Sequence, residues 1–416
     1  MLAITPTKKL HIQQLDIKGA YLNGILKERV YMRQPEGYDD GTGRVCHLIK
    51  TLYGLKQAGR EWNRELDSKM QKRGYTRLRS DPCVYMWREN DDFVTITVWV
   101  DDMLLFATTI ELKLKAKADI ESEWEVTDLG TPTKIVGIEL TIAPDAISIS
   151  SSKYIDNILL KENMARSNSV STPLDHNVPI EPNPEGNIGD RSNSFARLLG
   201  ELQYIANATR PDITYAVNRL ASYTANPSLQ HTTALKRILR YLSGTRDYRI
   251  TYKALPERPN FFHGYADAAY ANSDDNRSTS GYVFLAGDGA ISWSSKRQIS
   301  TALSSTEAEY VALSEAGREA CWLRNLYTEL GLLDVNVPTT IHGDNEGSIA
   351  MAKNPQFHKR SKHIATRWHW IRELVQDGTI NVESIRDPDQ TADVLTKALP
   401  RPKHIKHVAE MGLTHA

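Results

Sequence analysis

The sequence predicts a multidomain chain of mixed α/β and α+β class, and three observations predict it. At 416 residues the chain is too long for one ordinary core and long enough for two or three domains. Strand-prone and helical segments alternate up to about residue 165, and a second alternation with its own long helix begins near residue 258. Between them lies a stretch whose apolar residues recur at helical spacing alone.

In the first region, Leu10, Ile12, Leu15 and Ile17 border a short strand, and Ala20 to Lys27 reads as helical. Phe93 to Val100 is strongly β-prone, as is Met103 to Ala107, and only Asp101 and Asp102 separate them. That spacing predicts a β-hairpin with two carboxylates at its tip. Glu111 to Glu125 has helical composition, and Ile135 to Ile142 with Ala146 to Ser150 makes a second hairpin. Ser171 to Asp190, rich in Pro and Asn, reads as a linker or long loop. Leu198, Leu202 and Ile205, then Ile213, Val217 and Leu220, then Leu235, Ile238 and Leu242 mark a small helical region from Phe195 to Leu242. Beyond Asn260 come strands over Phe261 to Ala266, Gly281 to Ala286 and Ala290 to Trp293, then a long helix over Ser305 to Leu330. A strand at Thr339 to His342, helices at Asp344 to Ala352 and Ser361 to Gln376, a strand at Thr379 to Ile385 and a last helix at Thr391 to Ala398 follow.

Lys and Arg number 51, as do Asp and Glu, and a zero sum taken alone weighs against a nucleic-acid partner. The distribution says more. Lys56, Arg60, Arg64, Lys72 and Arg73 belong to one basic run, and Lys353, Lys362, Arg367 and Arg372 to another. Such runs are ordinarily solvated helix faces, and gain meaning when they flank a site that handles phosphates. No stretch approaches the roughly 20 apolar residues that cross a bilayer, and Met1 to Leu10 lacks the apolar core of a secretory signal. Cys46, Cys83 and Cys321 are widely spaced, as in reduced thiols of an intracellular protein. A cytoplasmic or nuclear protein without a membrane partner is the expectation; oligomeric state is unconstrained.

Four acids of the last region stand at element edges. Asp267 closes the first strand in Gly264-Tyr-Ala-Asp267, and Glu309 lies in the first turns of the long helix. Asp344 ends a strand in His342-Gly-Asp-Asn345, and Asp393 opens the last helix in Thr391-Ala-Asp393. Strand ends and helix starts form one rim of a sheet, so these acids can converge. Clustered carboxylates repel unless cations neutralise them, and hard oxygen donors suit Mg²⁺, with Mn²⁺ as its substitute. Singly, Asp344 and Asp393 read equally as helix N-caps and Glu309 as part of a solvated face. In the first region Asp16 ends a strand, and with Asp101 and Asp102 supplies the minimum for two-metal nucleotidyl transfer, although Asp-Asp at a turn is common for turn propensity alone.

The strings around these acids carry a resemblance. Gln14-Leu-Asp-Ile-Lys-Gly-Ala-Tyr-Leu-Asn-Gly24, Tyr31-Met-Arg-Gln-Pro-Glu-Gly37, Leu52-Tyr-Gly-Leu-Lys-Gln-Ala58, Val100-Asp-Asp102 and Asp128-Leu-Gly130 follow in order. After them come Arg277-Ser-Thr-Ser-Gly281, the Ser304 to Ser314 segment, and Lys362-His-Ile364 before a Trp-His-Trp-Ile-Arg helix. Together these resemble the reverse transcriptase and RNase H parts of copia-type LTR retrotransposon Pol polyproteins. The resemblance implies a polymerase-type palm over 1–165, a linker and helical thumb or connection over 166–257, an RNase H-like mixed-sheet domain over 258–400, and a tail over 401–416.

By the resemblance, Asp267, Glu309, Asp344 and Asp393 bind metal, with Glu307 the alternative to Glu309. Asp16 and Asp101 are the palm's metal ligands and Asp102 supports them. Tyr21 would be the aromatic gate under the incoming sugar, and Gln57 would help position the dNTP. Lys56, Arg60, Arg64, Lys72, Arg73, Lys362 and His363 would lie against RNA template, DNA primer or RNA–DNA hybrid. Three departures touch the polymerase half: only fifteen residues precede Asp16 where the family places its fingers, Trp99 replaces a Tyr, and Gly59 replaces a Pro. In the other half, Ala365 replaces an acid. The expectation is therefore an RNA-directed DNA polymerase fragment whose RNase H part is the working half. The alternative is a truncated retroelement remnant that at most binds nucleic acid.

Overall fold

The computed structural model describes residues 1–184, 193–255, 262–354 and 368–415. They form two compact units: Lys8–Val136, and Gly137–Ala416 together with Met1–Thr7. One helical turn, α1 (Thr5–Lys8), precedes the first strand.

In the unit Lys8–Val136, β1 (His11–Ile17) is followed by a 3-10 turn at Ala20–Asn23 and by β2 (Ile25–Arg33), so the helix expected over Ala20 to Lys27 shrinks to a single turn. Gly19 (φ +61°) starts that turn, and Gly24 ends it where a Cβ would stand 2.7 Å from Thr51 Oγ1. β2 and β3 (Val45–Lys50) make a separate antiparallel ribbon. In α2 (Ala58–Lys72), Ala58, Trp62, Leu66 and Met70 recur every fourth residue and are buried as one face. That face joins Leu15, Ile17, Ile96, Met103 and Leu105 in the core. β4 (Thr76–Arg77), β5 (Val84–Glu89), β6 (Asp92–Trp99), β7 (Asp102–Ala107) and β8 (Val126–Gly130) complete a six-stranded sheet of order β4-β5-β6-β7-β1-β8. Its pairings are antiparallel throughout. Between β7 and β8 runs α3 (Ile110–Glu121), whose cap Thr109 accepts a hydrogen bond from the Leu112 amide at 3.2 Å. A short strand, β9 (Lys134–Ile135), ends the unit.

The second unit starts with the hairpin β10 (Ile138–Ala143) and β11 (Ala146–Ser150). The sequence places this hairpin in the first domain. It belongs here because β11 pairs with β12 (Arg249–Lys253), and β12 in turn with β18 (Leu413–Thr414). α4 (Ser152–Lys161), α5 (Asn193–Ala208), α6 (Thr214–Ala221) and α7 (Leu229–Gly244) bury Leu202, Ile205, Val217, Ile238 and Leu239 in a helical core, as the spacing predicts. Residues 171–184 contain neither helix nor strand.

A buried ion pair braces this helical part. Arg210 donates to both oxygens of Asp212, at 2.9 and 2.7 Å, and to the Thr245 carbonyl at 2.8 Å, with both charged side chains fully buried. Tyr241 Oη donates to Asp212 at 2.7 Å and contacts His404 Nε2 at 3.1 Å. Tyr241→Phe removes a donor to a buried carboxylate and is expected to lower stability by about 1–3 kcal/mol, read as a shifted denaturant midpoint at unchanged slope.

The last part is a five-stranded sheet of order β15-β14-β13-β16-β17, with β13 (Phe262–Ala269), β14 (Thr279–Ala286), β15 (Gly289–Arg297), β16 (Thr339–Gly343) and β17 (Ile380–Ser384). The first three strands are antiparallel and the last two join in parallel. α8 (Ser305–Glu329) packs on β13 and β14, and α9 (Glu346–Lys353) and α10 (Trp370–Gln376) lie nearby in the chain. Ser361 to Arg367, expected as helix, fall outside the described residues. The helix expected at Thr391 to Ala398 is a 3-10 turn, Thr391–Leu395. Residues 401–416, expected as a tail, instead supply α11 (Arg401–Glu410) and β18, with His404, His407, Val408, Met411 and Leu413 buried.

Candidate metal centre

Each acid of the last region is delivered by a different element. β13 and β16 run parallel with Tyr265 opposite His342, so two residues further on Asp267, still inside β13 rather than closing it, stands beside Asp344, just past β16. Small residues bring α8 close to this rim: Ala268, Ala302, Ala308 and Ala312 form one buried cluster, and Glu309 follows Ala308. The Ala268 amide donates to the Glu309 carboxylate. Asp393 arrives on the 3-10 turn, which Gln390 anchors by donating to the Ala266 carbonyl at 2.9 Å. Gly281, the β14 partner of Asp267, makes room for that turn: a Cβ there would stand 2.7 Å from Thr396 Cγ2 and 2.8 Å from Leu395 Cβ. Gly281→Ala is therefore expected to push Asp393 away and to weaken divalent-cation binding about tenfold or more, as titration calorimetry would read it.

Ligand oxygens of Asp267, Glu309 and Asp344 lie within 4.8 Å of one another, and so do those of Asp344, Asp387 and Asp393. The four predicted acids thus converge on one rim. The N-cap alternatives fall away, because the caps are Asn345, accepting from the Ser348 amide at 2.9 Å, and Gln390. Glu309 is 8% exposed, which removes the solvated-face alternative. Glu307 instead accepts from the Leu303 amide at 2.8 Å at the start of α8. Asp387 joins the four acids without any signal in the sequence. It sits in the Arg386-Asp-Pro-Asp389 turn after β17, and no strand end or helix cap marks it.

The electrostatics are those of crowded, buried carboxylates. Burial raises the Asp267 carboxyl to about 6, helped by Asp393 and Asp344 and opposed by Lys397. Burial, then Asp267 and Asp344, push Glu309 up to about 10. Burial, then Asp393, raise Asp344. Thr396 Oγ1 donates to Asp267, and Lys397 Nζ bridges Asp393 at 2.7 Å and Asp267 at 3.7 Å. Lys403 sits 3.0 Å from Asp387 and 3.5 Å from Asp393. Such a set, all hard oxygen donors, suits Mg²⁺ or Mn²⁺ rather than a softer metal.

The palm acids are placed by register. Asp16 pairs with Asp102 across β1 and β7, and the Asp101 carbonyl accepts from the Ile17 amide at 2.9 Å. Trp99 pairs with Asp102, so the tip residues are Val100 and Asp101 rather than the two aspartates. Val100 adopts φ +58°, rare for a β-branched residue, and the Trp62 indole holds its carbonyl at 2.8 Å. Burial, then Asp101 and Asp102, raise the Asp16 carboxyl. Among the described residues these three acids do not bring their ligand atoms together as the other set does. Tyr21 lies beside Tyr53, ring centroids 5.1 Å apart. Burial, then Asp101, raise the Tyr53 phenol, a neighbour of the palm acids not singled out from sequence. Gln57 donates to Glu28 at 3.4 Å.

The basic run is less free than its sequence suggests. Arg60 pairs with Glu28 and Glu61, Arg64 with Glu61, and Arg73 with Glu123. Lys56 and Lys72 are exposed. Lys362 and His363 fall outside the described residues.

The chain thus combines a palm-type antiparallel sheet with an RNase H-like mixed sheet, each with acids at its rim. Residues 1–176 match the family described as Reverse transcriptase (RNA-dependent DNA polymerase). The chain is 38% identical over 97% of its length to the Retrovirus-related Pol polyprotein from transposon TNT 1-94 of Nicotiana tabacum. It is 37% identical over 100% of its length to that from transposon RE1 of Arabidopsis thaliana. Among solved structures, LC11-RNase H1 isolated from compost aligns with 33% of this chain and 93% of its own, at 18% identity and a TM-score of 0.27. The chain is similar over nearly its whole length to copia-type retrotransposon Pol polyproteins. It spans 31% and 28% of the length of the two relatives named. Among the described residues, no helix is long and apolar enough to cross a membrane.

Proposed function

We propose that the chain cleaves the RNA strand of RNA–DNA hybrids at the Asp267, Glu309, Asp344 and Asp393 centre. The observation that carries this reading is the convergence of four acids from four elements, with three ligand oxygens within 4.8 Å and three carboxyls pushed upward. The acids would hold Mg²⁺, which when bound supplies an activated water and stabilises the leaving oxygen of a phosphodiester. The protein's part is positional. Gln390, Gly281 and Ala268 fix where the carboxylates stand, and burial makes their charge felt strongly. Cleavage would leave a 3′-OH on one product, with the 2′-OH of the cut strand distinguishing RNA from DNA. A hybrid labelled on either strand, incubated with Mg²⁺ or with EDTA, tests the reading. RNA cleavage without DNA cleavage, lost in EDTA, is the expected result. A folded chain that cuts neither strand would leave the non-catalytic remnant.

A second reading concerns the first unit, where Asp16, Asp101 and Asp102 would serve nucleotidyl transfer from dNTPs to a DNA primer on an RNA template. The register that sets Asp16 opposite Asp102 favours it. Lys56, exposed just before α2, and Lys72, exposed at its C-terminal end, would track template or primer phosphates without reading sequence. Primer extension that survives Asp101→Asn would contradict it.

A further inference from the structure

We propose that Lys397 is a built-in counter-cation of the carboxylate centre, holding Asp267 and Asp393 together in the free protein and giving up that place when a divalent cation binds. The inference rests on the metal reading above.

Lys397 Nζ stands between two carboxylates, 2.7 Å from Asp393 Oδ1 and 3.7 Å from Asp267 Oδ2. Those side chains are only 0% and 2% exposed, so solvent cannot neutralise them. An ammonium this close to both carboxylates supplies, beside the two ligand groups that meet at Asp344, the positive charge a divalent cation would bring. The Lys397 side chain is itself 40% exposed, and its flexible four-carbon stem gives the ammonium a way outward. Lys403 cannot take over. It approaches Asp393 only to 3.5 Å while held by Asp387 at 3.0 Å.

A purely structural ion pair would behave differently. Its removal would loosen the site and weaken cation binding, or leave it unchanged. Removal of a competing cation tightens binding by lifting electrostatic repulsion.

Calorimetric titration of the full chain with Mn²⁺ decides between them, for the wild type, Lys397→Met, Lys397→Arg and Lys403→Met, each also melted in EDTA. Lys397→Met should bind Mn²⁺ about tenfold tighter, the effect of about 1.4 kcal/mol of lost competition. It should melt lower than wild type in EDTA, with the gap closing at saturating Mn²⁺, while Lys397→Arg tracks the wild type and Lys403→Met changes affinity less than Lys397→Met does. Should Lys397→Met fail to fold, Lys397→Gln carries the same comparison. Unchanged or weaker Mn²⁺ affinity on loss of Lys397 overturns the proposal. A wild type that binds no Mn²⁺ overturns the metal reading instead, which keeps the two failures apart.

Discussion

Asp267→Asn is expected to abolish Mg²⁺-dependent cleavage of the hybrid while leaving the protein folded. Asn is isosteric, and its carbonyl can still accept the hydrogen bond from Thr396 Oγ1, so the packing beside Gly281 is kept. What is lost is the charge of a buried oxygen that lies within 4.8 Å of ligand oxygens of Glu309 and Asp344. A bound cation contributes several kcal/mol of transition-state charge stabilisation, and about 4 kcal/mol is a factor of roughly a thousand in rate. Strand-resolved kinetics at saturating Mg²⁺, beside a circular dichroism melt, check both halves of this statement. Retained cleavage within tenfold of wild type would remove Asp267 from the centre.

Glu309→Gln should separate function from stability, because its two effects have opposite sign. Burial and the neighbouring Asp267 and Asp344 raise the Glu309 carboxyl from its ordinary 4.5 to about 10. Between those values the folded state binds a proton that the unfolded state has released. The contribution of this group to stability therefore falls as pH rises from about 4.5 toward 10. Gln carries no such cost, so the variant in EDTA should be more stable than wild type at pH 7 by roughly 2–3 kcal/mol. The advantage should be absent near pH 4 and grow with pH. Cleavage should be lost, since an amide is a poor Mg²⁺ ligand. Cation binding to the wild type at pH 7 should also release a proton, seen as a buffer-dependent binding enthalpy that the variant lacks. Equal melting curves for both proteins from pH 4 to 8 would contradict the assignment.

How far the sequence shows this site follows from what places each residue. Asp344 directly follows a strand end, which alternation and turn residues mark, whereas Asp267 lies two residues inside β13, a strand that runs on past the end its alternation suggests. Glu309 lies early in a long helix with a Ser cap, also a local signal. Asp393 was legible only through its string, because its approach depends on Gly281 being a glycine and on Gln390 reaching Ala266, contacts made across more than a hundred residues. Asp387 and Lys403 were not legible at all: an irregular turn and a helix taken for a tail meet only in the folded chain. The one-residue shift at the Val100–Asp101 turn has a different cause. Alternation marks the strands on either side, but the turn conformation is held by Trp62, from another element. The tail expected at 401–416 failed for a similar reason, since β18 finds its partner in β12.

The most direct test is a diffraction experiment on crystals soaked in Mn²⁺, with anomalous scattering used to locate the ion. Anomalous peaks are expected within bonding distance of Asp267, Glu309, Asp344 and Asp393 carboxylate oxygens, and none there in the Asp267→Asn variant. Mn²⁺ bound elsewhere, with this rim left without it in a chain that still cuts RNA–DNA hybrid, would contradict this assignment.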